Sequence, residues 1–229
     1  MSIYYSKEGL YKEIDNLKIF LGIDLEAHKL DIIGICKHKG VLVERMPFKT
    51  NGLKGIASIG SSNAEDVILI NSNKNEVEQN FICAHEIIHL ALHRNENKHE
   101  FNCFDEVRPN QNKFLEWQAN EGAAEMIVPY KVLLPIIRFY YQYWQNENDI
   151  IEFKRKLAAT FKVTVKVIEF RLESLKYEIE QHINGVGIDK IRILSVSQQK
   201  KENLKIKSIN DMQNEYASER LERIKRMFI

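Results

Sequence analysis

The residues best suited to chemistry in this sequence are His85, Glu86 and His89, which lie in the segment His85-Glu86-Ile87-Ile88-His89. Histidines four positions apart on a helix share one face, about 6 Å apart along the axis, so both imidazoles can reach a single metal ion. Zinc is the ion such donors commonly bind, and manganese and iron also accept them. Glu86 points beside the metal, where its carboxylate can hold a water molecule and take its proton. These are the parts of a metal-assisted hydrolase.

The histidine pair falls on a helix that the sequence predicts independently. Asn75 followed by Glu78 has the pattern of a capping box, and an apolar stripe continues from it to about His93. His93 lies eight residues after His85, about 12 Å along the axis, so one ion cannot reach both. We interpret His93 as a helix-end histidine near the C-terminal dipole. Two surface histidines flanking a glutamate, with no metal, are the alternative interpretation of the motif.

A third ligand is expected from the next predicted helix, residues 113–127, which carries Glu116, Glu121 and Glu125. Glu116 shares a helix face with Ala123, and small residues there let this helix approach its neighbour closely. We therefore predict Glu116 as the third metal ligand. Glu121 and Glu125 fall on other faces, where we expect them to be solvated, and they stay as alternatives.

Three segments of the chain resemble the ImmA/IrrE metallopeptidases, zinc proteins encoded beside helix-turn-helix repressors. The first, Phe81–His93, is similar to the family's zinc helix, including a trailing histidine. The second, Glu116–Pro129, is similar to the family's signature of a glutamate, an Ala-Asn pair, small residues and a final proline. The third, Leu157–Leu172, is similar to the helical pair that follows. The resemblance covers about residues 7–180.

The resemblance implies that Glu116, the first glutamate of the second segment, is the third ligand of one Zn²⁺ per chain. It implies an endopeptidase that cleaves a specific helix-turn-helix transcriptional repressor and so derepresses a mobile element, a prophage or a stress regulon. Two positions depart from the family. Gly122 stands where phenylalanine is usual, and Gln118 stands where an acidic residue is common.

The fold class that we predict is α+β and zincin-like, mainly helical, with a small antiparallel β-sheet before the histidine helix. Residues 94–112 are polar and rich in asparagine, and we expect a long loop without regular structure there. The elements expected before the histidine helix are helices over 7–22 and 24–38 and strands over 41–48, 55–60 and 66–71.

The second half of the chain is expected to be helical. We predict a zincin-like metallopeptidase domain over residues 1–182, with a helical pair at 150–182, and a basic C-terminal segment of unassigned role over 183–229. From Lys190 to the end there are ten basic and five acidic residues. The further expected elements are helices over 131–146, 150–160, 164–182 and 209–227 and a strand near 191–196.

Residues 154–176 hold seven basic side chains against Glu169 and Glu173 in a helix, turn, helix arrangement. DNA binding is one interpretation of this segment. We favour packing through an apolar face, because no helix rich in Asn, Gln and Arg at base-reaching positions follows. Direct nucleic-acid binding is therefore not expected. The apolar face consists of Leu157, Phe161, Val163, Ile168 and Leu172.

Composition narrows the class of protein further. The 33 basic and 32 acidic residues give a net charge of +1, so no whole-molecule field attracts nucleic acid or an anionic membrane. Lys7 and Glu8 stand where a secretory signal needs an apolar run, and no apolar stretch of membrane-spanning length occurs. The widely spaced Cys36, Cys83 and Cys103 fit reduced thiols. We expect a cytoplasmic protein without membrane partners.

Two questions stay open at the level of sequence. A second group that stabilises the developing oxyanion is often Tyr, His or Arg, and the run Arg138–Trp144 and His99 both offer one. The alternative function is a non-proteolytic, metal-containing regulator that binds a repressor or DNA stoichiometrically. An intact Glu86 argues against it, because such a protein has no use for a base beside an open metal position.

Overall fold

The computed structural model describes residues 4–61, 64–96 and 98–228. The chain forms two compact units, and all four predicted site residues belong to the first. The predicted boundary between residues 182 and 183 stays a prediction. The first unit comprises Met1–Ile127 with Phe161–Val163, and the second comprises Val128–Thr160 with Thr164–Ile229.

The first unit combines helices with one four-stranded sheet, so the predicted α+β class is confirmed. The helix that carries the histidines packs against the fourth helix and against the second strand. In chain order its elements are α1 (Lys7–Leu21), α2 (Ile32–His38), β1 (Leu42–Met46), β2 (Leu53–Ser58), β3 (Val67–Asn71), α3 (Glu76–Leu92), β4 (Glu100–Phe104) and α4 (Lys113–Ile127).

The sheet is mixed, and the prediction of an antiparallel sheet was wrong. The strand order is β1-β3-β2-β4, with β1 and β3 parallel and the other pairs antiparallel. The run Val67–Ile70 is apolar at four consecutive positions, which suits a strand with neighbours on both sides. Ile68 and Ile70 are completely buried. The pair Asn51-Gly52, which is typical of hairpin turns, therefore does not join two paired strands here, because β3 lies between β1 and β2.

Strand β4 lies in the segment that we expected to be an irregular loop, and it follows the histidine helix rather than preceding it. It forms the sheet edge next to β2, with Ala57 paired to Phe101 and Gly55 paired to Cys103. Phe101 and Cys103 are the buried positions of the strand. Two apolar side chains in a polar segment give too short an alternation to reveal a strand without its partner.

The first two helices begin at side-chain caps. The Ser6 hydroxyl accepts a hydrogen bond from the Gly9 amide at 3.0 Å, and α1 ends close to its predicted terminus. The Asp31 carboxylate accepts a bond from the Gly34 amide at 3.0 Å. Because Asp31 supplies this N-cap, α2 begins at Ile32, and the predicted start at residue 24 was wrong.

The second unit is helical in the part of the chain that the structure describes. The helix predicted over 164–182 is two helices separated at Leu175. The strand predicted near 191–196 is absent: residues 191–195 have no regular structure, and a helix capped by Ser195 follows them. None of the described helices has the length and apolar character needed to cross a bilayer. The elements are α5 (Tyr130–Tyr141), α6 (Glu147–Phe161), α7 (Val165–Ser174), α8 (Lys176–Ile183), a 3₁₀ turn (Ile188–Lys190), α9 (Val196–Lys201) and α10 (Ile209–Phe228).

The basic helical pair has a buried apolar face, as the packing interpretation requires. One of its seven basic residues, Arg171, is itself completely buried, and its Nε–H donates to the backbone oxygen of Val128 at 3.0 Å. Arg171 is therefore part of the interior of the second unit. The five apolar residues Leu157, Phe161, Val163, Ile168 and Leu172 are each at most 6% exposed.

Candidate metal centre

Helix α3 begins at the predicted capping box and presents both histidines on one face. The Asn75 side chain accepts from the Glu78 amide at 2.9 Å, and the Glu78 carboxylate accepts from the Asn75 amide at 3.3 Å. His85 and His89 are both buried, with their Nε2 atoms 3.1 Å apart. The spacing of four residues thus directs two imidazole nitrogens to one point.

Glu116, in the first turn of α4, meets the same point. Its carboxylate oxygens lie 3.4 Å from Nε2 of His85 and 3.8 Å from Nε2 of His89. Donors that each lie 2.0–2.1 Å from a tetrahedral zinc ion are about 3.3 Å apart, and the three observed separations bracket that value. Two imidazoles and one carboxylate are also the donor types of an open zinc site. The residues therefore fit a divalent metal ion.

Glu86 lies beside this point in a wholly buried position. Among the described residues, neither of its carboxylate oxygens has a hydrogen-bond partner. A Cβ atom on Gly55 of β2 would collide with Oε1 of Glu86 and would lie 2.6 Å from Cγ2 of Ile82, so a glycine makes room for the carboxylate. Burial raises the pKa of Glu86 well above its ordinary value; Glu116 adds to the increase and Lys54 opposes it.

Gln111 holds Glu116 in place, a role that the sequence did not suggest. Its Nε2 donates to Oε1 of Glu116 at 3.0 Å and to the backbone oxygen of Asn102 at 2.6 Å, while its Oε1 accepts from the Arg108 amide at 2.8 Å. One half-buried amide thus joins the edge strand β4, the loop after it and the carboxylate. A glutamine five residues before a metal-binding glutamate has no signature of its own.

His93 is the C-cap residue of α3, as the helix-end interpretation predicts, but its side chain is buried next to His89, which that interpretation did not include. Its Nδ1 lies 2.8 Å from Nδ1 of His89, and its Nε2 lies 2.8 Å from Oε1 of Gln118. Burial, together with His85 and His93, holds the pKa of His89 well below its usual range, and burial also lowers the pKa of His93. The spacing of four residues between His89 and His93 is the sequence feature that places the two rings side by side.

Strand β4 supplies two further neighbours of the centre. The Phe101 ring stacks on His89 with centroids 4.5 Å apart and planes 17° apart, which fixes one face of that imidazole. The Cys103 sulfur lies within 4.8 Å of donor atoms of His85 and Glu86. Burial raises the pKa of the Cys103 thiol well above its ordinary value, with Glu86 adding to the increase.

Glu121 and Glu125 were expected to be solvated, and both are buried instead. Their side chains are 1% and 3% exposed. The hydroxyl of Tyr11 in α1 donates to Oε1 of Glu121 at 2.5 Å. For Glu121 the expectation failed because α1 packs against α4 on a side that the sequence of α4 marks as polar.

The departure at Gly122 has a packing explanation. A Cβ atom there would lie 2.9 Å from Cδ1 of both Ile14 in α1 and Ile88 in α3. Two isoleucine side chains therefore occupy the space in which a larger residue at this position would have to fit.

The two candidates for a second oxyanion-stabilising group stay predictions. The exposed His99 precedes β4, where its backbone oxygen accepts from the Ile59 amide at 2.8 Å. The run Arg138–Trp144 belongs to the second unit, where Phe139 packs on Tyr140 and Tyr143 with ring centroids 5.2 Å and 5.7 Å away.

Comparison with known protein families relates the chain to a family of peptidases. The profile of a peptidase family, described as the IrrE N-terminal-like domain, matches residues 36–173, which is more than half of the chain. The matched region contains His85, Glu86, His89 and Glu116. No curated protein sequence matches the chain significantly.

Proposed function

Because this chain belongs to the ImmA/IrrE family of peptidases, we propose that it is a zinc-dependent endopeptidase that cleaves one specific protein. The observation that carries the proposal is the convergence of His85 Nε2, His89 Nε2 and the Glu116 carboxylate, with separations of 3.1 to 3.8 Å. Zinc is proposed over manganese and iron because two imidazoles and one carboxylate in tetrahedral spacing suit it.

The reaction divides between the metal ion and Glu86. When bound, the ion supplies Lewis acidity, which polarises a peptide carbonyl and lowers the pKa of a water molecule. Glu86 accepts the proton of the attacking water, since its carboxylate oxygens have no other partner among the described residues. It then passes that proton to the leaving amine. Gly55 keeps the space that the carboxylate needs.

An extended peptide is the form of substrate that suits this site. Strand β4 is a sheet edge, and such an edge can pair with an extended chain. A groove lined by Phe101, Asn102, Gln111 and Leu115 reaches Glu116. We propose a helix-turn-helix repressor as the substrate, on the strength of family membership, and derepression of a mobile element, prophage or stress regulon as the consequence.

The test incubates the zinc-loaded protein with any helix-turn-helix protein whose gene adjoins its own and measures fragments by mass spectrometry. We expect one cut, and we expect Glu86→Gln to keep the metal and abolish the cut. Glu76→Gln is the matched control, because it makes the same charge change at an exposed position of the same helix. Release of the repressor from its operator without any fragment would favour the non-proteolytic regulator instead.

A further inference from the structure

A line of three hydrogen-bonded side chains leads away from the candidate metal position. Nε2 of His89 faces the metal position, Nδ1 of His89 lies 2.8 Å from Nδ1 of His93, and Nε2 of His93 lies 2.8 Å from Oε1 of Gln118. All three side chains are at most 2% exposed, so water does not compete for these bonds. Whether each ring nitrogen carries a hydrogen therefore depends on its hydrogen-bond partner in the line.

The amide oxygen at the far end sets the direction of the whole line. An amide oxygen only accepts, so Nε2 of His93 must carry a hydrogen and donate it to Gln118. In a neutral His93 the other nitrogen, Nδ1, then carries a lone pair and accepts from Nδ1–H of His89. His89 is thereby left with a lone pair on Nε2, the atom that faces His85 and Glu116.

His85 differs from His89 in this respect. Its Nδ1 is buried and, within the described residues, has no hydrogen-bond partner. The tautomer of His85 is therefore not set from its Nδ1 side and depends on what its Nε2 faces. When no ion lies between them, the Nε2 atoms of His85 and His89, 3.1 Å apart, must share one hydrogen. Because His89 presents a lone pair, His85 must provide that hydrogen.

We propose that His93 and Gln118 are positioning residues that preset His89 as an Nε2 metal ligand, so that only His85 changes tautomer when the ion binds. The inference rests on the proposed metal centre. Partners of this kind orient a ligand ring and fix its tautomer, and their loss typically weakens metal binding by 10- to 100-fold. It also assigns a role to Gln118, where the family commonly has an acid: the amide accepts a hydrogen bond and adds no charge.

The first test reads the tautomers directly in the full-length protein. Histidine side chains labelled with ¹⁵N are observed by long-range ¹H–¹⁵N NMR before and after addition of one equivalent of Zn²⁺ to chelator-treated protein. We expect His89 as Nδ1–H and His93 as Nε2–H in both states, and His85 to change from Nε2–H to Nδ1–H. A His89 that carries its hydrogen on Nε2 before zinc is added would overturn the proposal.

The second test measures zinc affinity by competition with a chromophoric chelator. Gln118→Met has nearly the same shape without the accepting oxygen, and we expect it to bind zinc about 10-fold more weakly. Gln118→Glu keeps an oxygen at that place and should stay within about threefold of the unmodified protein. Unchanged affinity in the methionine variant, or an equal loss in both variants, would contradict the proposal.

These readouts do not depend on peptidase activity. If the protein shows the expected tautomers and affinities but cuts no repressor, the proposed function is wrong and the role of His93 and Gln118 still holds. If the protein cuts its repressor while His89 is in the other tautomer, the proposed function holds and the role of His93 and Gln118 is wrong.

Discussion

The side-chain nitrogen of Gln111 lies 3.0 Å from Oε1 of Glu116, and this bond ties a candidate metal ligand to the loop that follows the edge strand. The same nitrogen also donates to the backbone oxygen of Asn102 at 2.6 Å. Asn102 pairs with Ile56 of β2. The position of the Glu116 carboxylate therefore depends on the sheet edge as well as on its own helix.

Replacing Gln111 should weaken metal binding. Gln111→Ala removes both donated bonds, so the carboxylate of Glu116 gains freedom, and we expect zinc affinity to fall by about 10-fold. Chelator competition measures the change. Asn110→Ala is the matched control, since it shortens the neighbouring exposed amide of the same loop. Equal affinities for the two variants would show that Gln111 does not support the ligand.

Substitution of Gly55 should affect catalysis without removing the metal. In Gly55→Ala the added Cβ would collide with the Glu86 carboxylate and with Ile82, so the base must move. We expect zinc affinity to stay within about threefold and the cleavage rate to fall by about 10- to 100-fold, as displacement of a reacting group by about 1 Å can do.

The control for this variant is Gly187→Ala. A Cβ atom at Gly187 meets no atom within 4 Å, and the backbone there has a negative φ of −63°. Its cleavage rate should match that of the unmodified protein. A Gly55→Ala protein that cleaves at the full rate would contradict the position assigned to Glu86.

The close contact at Gly122 predicts a measurable coupling with Ile14. Overpacking typically lowers the free energy of unfolding by about 1–3 kcal/mol, whereas replacing glycine by alanine inside a helix raises it by about 1 kcal/mol. We therefore expect Gly122→Ala to lower the free energy of unfolding by about 1 kcal/mol. Ile14→Val removes one of the colliding methyl groups, so it should cost less in the Gly122→Ala background than alone. A double-mutant cycle in urea tests this, and strict additivity would contradict it.

Arg171 is expected to act in stability rather than in binding. Arg171→Met leaves the Val128 carbonyl without its buried charged donor, and we expect the free energy of unfolding to fall by more than about 2 kcal/mol. Lys166→Met, at an exposed position of the same helix, should change it by less than about 0.5 kcal/mol. Urea denaturation compares the two. A change of less than about 0.5 kcal/mol for Arg171→Met would contradict this role and favour a binding surface instead.

The sequence predicted those parts of the centre whose signals are local. Asn75, Glu78 and the apolar stripe define α3, and the spacing of His85 and His89 follows from the helical repeat. Glu116 was chosen from its helix face and from the family resemblance, and α4 extends over the predicted residues. Each of these inferences uses residues that lie within one helix or one short segment of the chain.

The parts that were missed depend on contacts between distant segments. Strand β4 exists because Phe101 pairs with Ala57, and Glu121 is buried because Tyr11, 110 positions earlier, reaches it. The parallel pairing of β1 with β3 likewise leaves no local pattern, since turn signals report only on neighbouring strands. The role of Gln111 could not be predicted for the same reason, because a side-chain amide supports a ligand only through partners that the fold brings to it.

Anomalous diffraction at the zinc absorption edge, from a crystal of the zinc-loaded protein, tests the metal centre most directly. We predict one peak per chain, bonded to Nε2 of His85, Nε2 of His89 and a carboxylate oxygen of Glu116 at about 2.0–2.2 Å. A zinc peak elsewhere, or one from which Glu116 turns away, would contradict the centre and the hydrolytic function built on it.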